Sequence, residues 1–324
     1  MKLQESGSWR DIWRRFRRST IAMIALVYVV VVAFIALFAP LIANTKPLIM
    51  RTASGIRFPS AGDFFGAKEG IEQVPQGDVV LRAPIPHSPN DVDILQRLKK
   101  PTHEHRFGTD DVGRDVLARL VHGARVSLTV ALLAAVIALL VGSFFGAIAG
   151  FYGGWVDWIV SRLIEIVLCF PFLFLVLGIV ALFRPSVYTI VIALGVTTWT
   201  DAARYVRGEI MRIRELDFAQ AARASGARDV RIIFRHLLPN AMAPALVSAN
   251  FSVATAILTE SALSFLGIGV PLPAPTWGGI LSIAELYIDY AWWLALYPGI
   301  AIFTTVAAFN VVGDRFREAL DPRG

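Results

Sequence analysis

Apolar residues along this chain gather into long uninterrupted runs. They show neither the alternation of a half-buried strand nor the one-sided stripe of a surface helix. Six runs stand out, at 21–42, 126–150, 158–182, 187–199, 241–270 and 292–312. The fourth is the shortest, and it is expected to continue past Asp201 through Ala202 and Ala203 toward Tyr205. A helix needs about 20 mostly apolar residues to cross about 30 Å of hydrocarbon. Backbone polar groups in lipid must be satisfied within the segment, which favours helices. The pattern therefore predicts an all-α integral membrane protein with six transmembrane helices.

Composition agrees. Of 324 residues, 56% are hydrophobic and 17% charged, against about 45–50% and about 25% for soluble domains. The 31 Lys and Arg outnumber the 25 Asp and Glu. In a soluble protein that excess would suggest nucleic acid. Here its distribution sets topology, and no nucleic-acid partner is expected. Basic residues crowd the N-terminal segment 1–20, the stretch from Arg204 to Arg235, and the tail 315–324, whereas 271–291 has no Lys or Arg. Six crossings with both termini in the cytoplasm satisfy every short loop. Segment 43–124 falls outside despite its charge, as long loops do. It is rich in Pro, Gly and Asp and reads as an irregular extracytoplasmic insertion, with short helices near 95–99 and 115–122. The core then spans 125–314, with a cytoplasmic loop at 204–239. The first run (21–42) ends in Ala39-Pro40-Leu41-Ile42, lacks a small-x-small cleavage pattern, and is expected to stay as an anchor. Cys169 is the single cysteine, which excludes an intrachain disulfide.

Individual positions refine this outline. Trp9, Trp13 and Phe16 recur at i, i+4 and i+7 among arginines, as in a helix lying in the lipid headgroup plane. Gly142, Gly146 and Gly150 form a four-residue repeat continuing the face of Ala131, Ala135 and Ala138, which predicts close approach by a neighbouring helix. Pro171 should kink the third span. Two acids lie inside spans: Glu165 can pair with Arg162 at i, i+3, and Glu260 needs a partner or a wet cavity. Structural pairing or a place on a pathway would both fit them.

No enzyme signature is present. None of the five lysines has a phosphate-loop context, and there is no HExxH or GxSxG. His103-Glu104-His105 lacks further nearby ligands, so no metal, cofactor or catalytic site is expected.

The cytoplasmic loop carries the densest local signals. Asp217 is placed to cap a helix, Gln220 to complete a capping box, Ala221 and Ala222 to extend it, and Gly226 to end it in the left-handed conformation. A second short helix should follow, with Val230, Ile233, Phe234 and Leu237 as its apolar face and Pro239 as its stop. Such a helix suits either a partner's groove or the membrane surface.

Gln220-Ala221-Ala222-x-x-x-Gly226, followed after nine residues by His236-Leu237-Leu238-Pro239, resembles the EAA motif of binding-protein-dependent ABC importer permeases. Gln stands for the usual acid and His236 for the usual Ile. The runs His105–Asp110, Gly113–Leu117, Glu260–Gly269 and Pro275–Gly278 resemble the C-type subunit of the dipeptide/oligopeptide group. The resemblance implies a type I ABC importer permease in the bacterial inner membrane. It would pair with a B-type sibling permease as a heterodimer, with two ATPase subunits and with an extracytoplasmic peptide-binding protein. The helix starting at Asp217 would be the coupling helix, with Phe218 and Ala221 in an ATPase groove. Nickel chelates or peptide antibiotics as cargo, or an ion-gradient-driven secondary transporter, are the alternatives.

Overall fold

The computed structural model describes residues 9–52, 55–60 and 78–320. The first eight residues of the expected headgroup helix, parts of the expected insertion (53–54 and 61–77) and the end of the tail (321–324) lie outside the described residues. Helices dominate: α1 (Trp9–Arg18), α2 (Thr20–Leu37), α3 (Ala39–Ile42), α4 (Val116–Tyr152), α5 (Gly154–Cys169), α6 (Phe172–Leu182), α7 (Val187–Ile213), α8 (Asp217–Ala224), α9 (Asp229–Arg231), α10 (Leu238–Phe265), α11 (Trp277–Tyr287) and α12 (Trp293–Leu320). Among the described residues, four helical stretches are long and apolar enough to cross a membrane: Thr20–Leu37, Val116–Tyr152, Asp229–Phe265 and Trp293–Leu320. Helices α5 and α6 add a fifth if the bent pair is one span. Helix α7 is 27 residues long but carries Asp201, Arg204, Arg207, Glu209 and Arg212, and is not among them.

The chain divides into two compact units, and each boundary falls inside a helix. The first unit comprises Met1–Val29, Val130–Thr259 and Thr305–Gly324. Its organising contact is the glycine seam of α4. A Cβ on Gly142, Gly146 or Gly150 would stand 2.5 Å from the Trp199 carbonyl oxygen, 2.5 Å from that of Ala203 and 2.7 Å from that of Arg207. Helix α7 thus lies against α4 at backbone distance, as the four-residue spacing predicts. Gly195 returns the fit from α7, where a Cβ would come 2.7 Å from the Ile137 Cβ. Trp199, Ala203, Val160 and Ile164 fill the space beside the seam.

Pro171 does more than kink the third run. The helix ends at Cys169, restarts at Phe172, and turns by 89° between the two halves. The expected pair Arg162–Glu165 forms at 2.5 Å, with both side chains about half exposed. Phe16 of α1 is buried against Ala22 and Ala319, so the ring at the end of the Trp9-Trp13-Phe16 stripe packs on protein.

The second unit comprises Val30–Thr129 and Glu260–Thr304. Part of segment 43–124 is an antiparallel three-stranded sheet, order β2-β1-β3, built from β1 (Ile49–Thr52), β2 (Gly55–Arg57) and β3 (Asp78–Leu81). The helix signal at 115–122 proves to be the first two turns of α4. Residues 271–291, expected as a loop, contain α11, whose N-cap Thr276 accepts the Gly279 amide at 2.9 Å. Two indoles tie the unit together: Trp277 Nε1 donates to Leu120 O (3.0 Å), and the fully buried Trp293 donates to Thr109 O (3.1 Å).

Just before and inside α4 lies a buried charge cluster. Asp110 accepts the Arg114 amide (2.9 Å) and Nε (2.7 Å), and pairs with Arg119 at 3.4 Å. Arg119 also donates to Pro89 O at 3.2 Å. Glu260 is fully buried and is met by hydroxyls: Ser127 and Ser264 each donate to it at 2.8 Å. Neutral donors satisfy a buried carboxyl without importing a second charge.

Candidate functional site

The loop between α7 and α10 is built on the first unit. At its entrance, Arg214 Nη1 donates to the carbonyls of Gly150 (2.8 Å) and Phe151 (3.1 Å). These belong to the last turn of α4, where carbonyls lack helical partners and a cation is favoured. Arg207 forms a two-pronged pair with Asp157 of α5, its Nη2–Oδ2 limb at 2.8 Å. The loop therefore starts from a base fixed to both α4 and α5.

Helix α8 follows. Its start differs from the sequence expectation: the N-cap is Leu216, and Asp217 is the first helical residue. No side chain caps the helix. Gln220 folds back to donate to Glu215 O at 3.0 Å, so the capping box does not form. Asp217 still places a negative charge in the first turn, where the helix dipole favours it.

The C-terminal end is as expected. Gly226 has φ +73°, its amide bonds to Arg223 O (2.9 Å), and the Ala227 amide reaches Ala222 O (3.2 Å). This is the 6→1 and 5→2 pair of a Schellman motif, which usually brings a contact between the residues bridged by the longer bond. Ala222 and Ala227 indeed both pack on the buried cluster beneath the loop.

That cluster fixes which side of α8 faces inward. Ala219 is fully buried among Phe151 of α4, Val206, Ile210 and Ile213 of α7, and Ile232, Ile233 and Leu237. Arg223 lies over the Phe151 ring at 5.0 Å. Asp217, Phe218, Gln220 and Ala221 are left exposed, Phe218 at 42%. An aromatic ring and a bare methyl thus sit side by side on the outward face of a short, anchored helix.

The second short helix departs from its predicted face and end. Ile232, Ile233 and Leu237 are buried, whereas Val230 and Phe234 are exposed. The reason is a π turn over Ile232–Leu237, closed by the Leu238 amide on Ile233 O, which shifts the register by one residue. Pro239 does not stop the helix. The chain continues helically from Asp229 through α10 to Phe265, ahead of the expected start at Ala241. A proline clashes with the carbonyl four residues back and offers no amide. The widened turn before Pro239 makes room for both defects.

Of the other positions singled out by sequence, Pro171 and Glu165 belong to the first unit and Glu260 to the second. No catalytic constellation is present among the described residues. The arrangement leaves one face of α8 exposed.

The chain matches the model of "Binding-protein-dependent transport system inner membrane component" over residues 142–323. It also matches "N-terminal TM domain of oligopeptide transport permease C" over residues 7–54. It is 36% identical to a dipeptide transport system permease protein, DppC, of Alkalihalophilus pseudofirmus, over 97% of this chain and 90% of that protein. It is 33% identical to the oligopeptide transport system permease protein OppC of Bacillus subtilis, again over 97% and 90%. Among solved structures it is similar to a chain of the inward-facing MetNI methionine ABC transporter, with a TM-score of 0.49 and 20% identity over 63% of this chain and 96% of that one.

Proposed function

The chain belongs to the family of binding-protein-dependent transport system inner membrane components, and from that we propose that it is a permease subunit of an ATP-driven importer of short peptides. The peptide cargo is supported by relatives named for dipeptide and oligopeptide transport that align along almost the whole chain. In this reading α7 joins the other long helices as a sixth crossing. The termini and the 204–239 loop face the cytoplasm of a bacterial inner membrane, and 43–124 lies outside. A B-type sibling completes the pathway, an extracytoplasmic binding protein delivers the peptide, and two separate ATPases supply the energy.

The observation that carries the coupling role is the division of α8. Its inner face, Ala219 and Ala222, is locked to the ends of α4 and α7, while Phe218 and Ala221 stand free. A helix held that way transmits a push as a rigid body. Phe218 would enter an ATPase groove, Ala221 would let the surfaces close, and Asp217 and Gln220 would line the rim. ATP-driven closure of the ATPases would then move α8 and, through the cluster beneath it, the α4–α7 pair.

The test is affinity purification from native membranes in mild detergent, wild type beside Phe218→Asp. Co-purification of an ATPase and a sibling permease with the wild type, with the ATPase lost from the variant, is the expected result. A chain that leaves native membranes with no ATPase would refute the importer reading and bring forward an ion-gradient-driven transporter. ATP-dependent uptake of a labelled tripeptide by the reconstituted assembly tests the cargo, and failure there with the ATPase bound would overturn the peptide assignment alone.

A further inference from the structure

A group of potential metal ligands lies in the second unit. His87, His105 and Asp115 each offer a donor atom, and the three atoms all lie within 4.8 Å of one another. His105 and Asp115 are buried, and His87 is half-buried. The two imidazole rings lie 4.6 Å apart, tilted by 33°.

The surroundings of each ligand matter as much as their proximity. His87 Nε2 lies 3.2 Å from Glu104 O. A carbonyl only accepts, so this bond assigns the proton to Nε2 and leaves Nδ1 with its lone pair. Ligand histidines are typically oriented this way, one nitrogen donating to a carbonyl or carboxylate and the other free for the metal. His105 Nδ1 meets Asp115 Oδ2 at 2.9 Å. The other Asp115 oxygen, Oδ1, accepts the Ala118 amide at 2.7 Å, which fixes the carboxylate at the N-terminus of α4. Two ligands are therefore fixed on a helix start and its lead-in, and the third approaches from a segment 18 residues upstream of His105.

We propose that His87, His105 and Asp115 form a binding site for a divalent transition-metal ion. Two imidazole nitrogens and one carboxylate oxygen suit zinc, nickel or copper and not magnesium or calcium, which take oxygen ligands. The ion takes the position of the proton now held between His105 Nδ1 and Asp115 Oδ2. Metal–nitrogen bonds of about 2.0–2.1 Å require ligand atoms about 3.4 Å apart in a tetrahedron. His105 Nδ1 and Asp115 Oδ2, now 2.9 Å apart, therefore part by about half an ångström as the ion enters, and the more exposed His87 closes in. Three protein ligands leave one coordination position for water. The bound ion clamps the segment around His87 to the start of α4.

Zinc chloride is the probe, titrated into the full-length chain purified in detergent through a tag without histidine and stripped with a chelator. Wild type should bind one equivalent and gain thermal stability. His87→Ala should bind at least about tenfold more weakly and gain none, while its metal-free melting point stays near wild type. His103→Ala, which removes an exposed histidine outside the group, should behave as wild type, and magnesium should bind to none of the three. Equal zinc affinity in wild type and His87→Ala, or no stoichiometric binding in wild type, would overturn the proposal.

Discussion

Two stretches of this chain carry the family's most recognisable residues, and the fold uses them in opposite ways. In the first, from His105 to Arg119, most polar side chains are turned inward, Arg106 and Asp111 excepted. Asp110 holds Arg114 and Arg119, Asp115 holds His105 and the α4 N-terminus, and Thr109 and Gly108 are buried beneath them. In the second, from Asp217 to Ala227, the inward groups are three alanine methyls, whereas the turn at Gly226 and the polar and aromatic groups are exposed. The first stretch is held by partners inside its own unit, Pro89 and Trp293 among them. The second presents a surface that the other described residues leave exposed. A recurrent motif can therefore be turned into a fold's interior or left on its surface, and burial tells which.

The sharpest way to break this comparison is at Asp110. Asp110→Ala removes the carboxylate that faces two buried guanidiniums, and breaking a buried pair from one side costs about 3–5 kcal/mol. Unfolding in mixed micelles should show a loss of that size, with transport falling only because less assembled protein survives. A variant of near wild-type stability would mean that solvent reaches Arg114 and Arg119, and the first stretch would not be the closed cluster described.

Next in size is the seam on which the second stretch stands. Gly146→Val places a branched side chain against the Ala203 carbonyl, where even a Cβ comes within 2.5 Å. Overpacking of this kind costs about 1–3 kcal/mol, and because the neighbour is backbone the upper end applies. Spreading α4 from α7 should also disturb the cluster under α8. The variant should therefore lose ATPase association beyond its loss of stability, measured as ATPase retained per folded chain.

These examples show what the sequence revealed and what it concealed. The glycine seam was legible because a four-residue spacing is a local signal with one geometric meaning, but it did not name α7 as the partner ahead of the run that follows α4 directly. The turn at Gly226 was legible for the same reason. The cap at Asp217 was misplaced by one residue because Leu216 adopts the extended cap conformation and Gln220 bonds to Glu215 instead. Pro239 was misread as a stop because a π turn cannot be inferred from composition. Ser127, 133 residues from Glu260, and His87, 18 from His105, belong to sites assembled by tertiary structure. No periodicity connects such residues. Helix α11 was hidden by the expectation that a segment between spans is a loop, although Thr276 followed three residues later by Gly279 is a plain N-cap arrangement.

A smaller effect is expected at Gly226. With a positive φ and nothing within 4 Å of its would-be Cβ, Gly226→Ala meets only backbone strain, about 1–2 kcal/mol. Gly226→Asn should recover part of that, since Asn tolerates the left-handed region. If alanine and asparagine cost the same, the penalty would arise from a contact and not from the backbone.

The smallest effect on the chain itself is expected two residues after Ala219, at Ala221. Both are alanines on the same short helix, but Ala219 is fully buried while Ala221 is exposed. Ala221→Asp should leave stability within about 0.5 kcal/mol, as exposed substitutions usually do, yet weaken ATPase association by adding charge and bulk where the partner approaches. Ala219→Leu should do the reverse at first order, costing about 1–3 kcal/mol through overpacking without altering the outward surface. If Ala221→Asp retained full ATPase association, the exposed face of α8 would not be the contact. If Ala221→Asp unfolded the chain as readily as Ala219→Leu, α8 would have no free face at all. A double dissociation between two identical residues would locate the contact on one side of one helix.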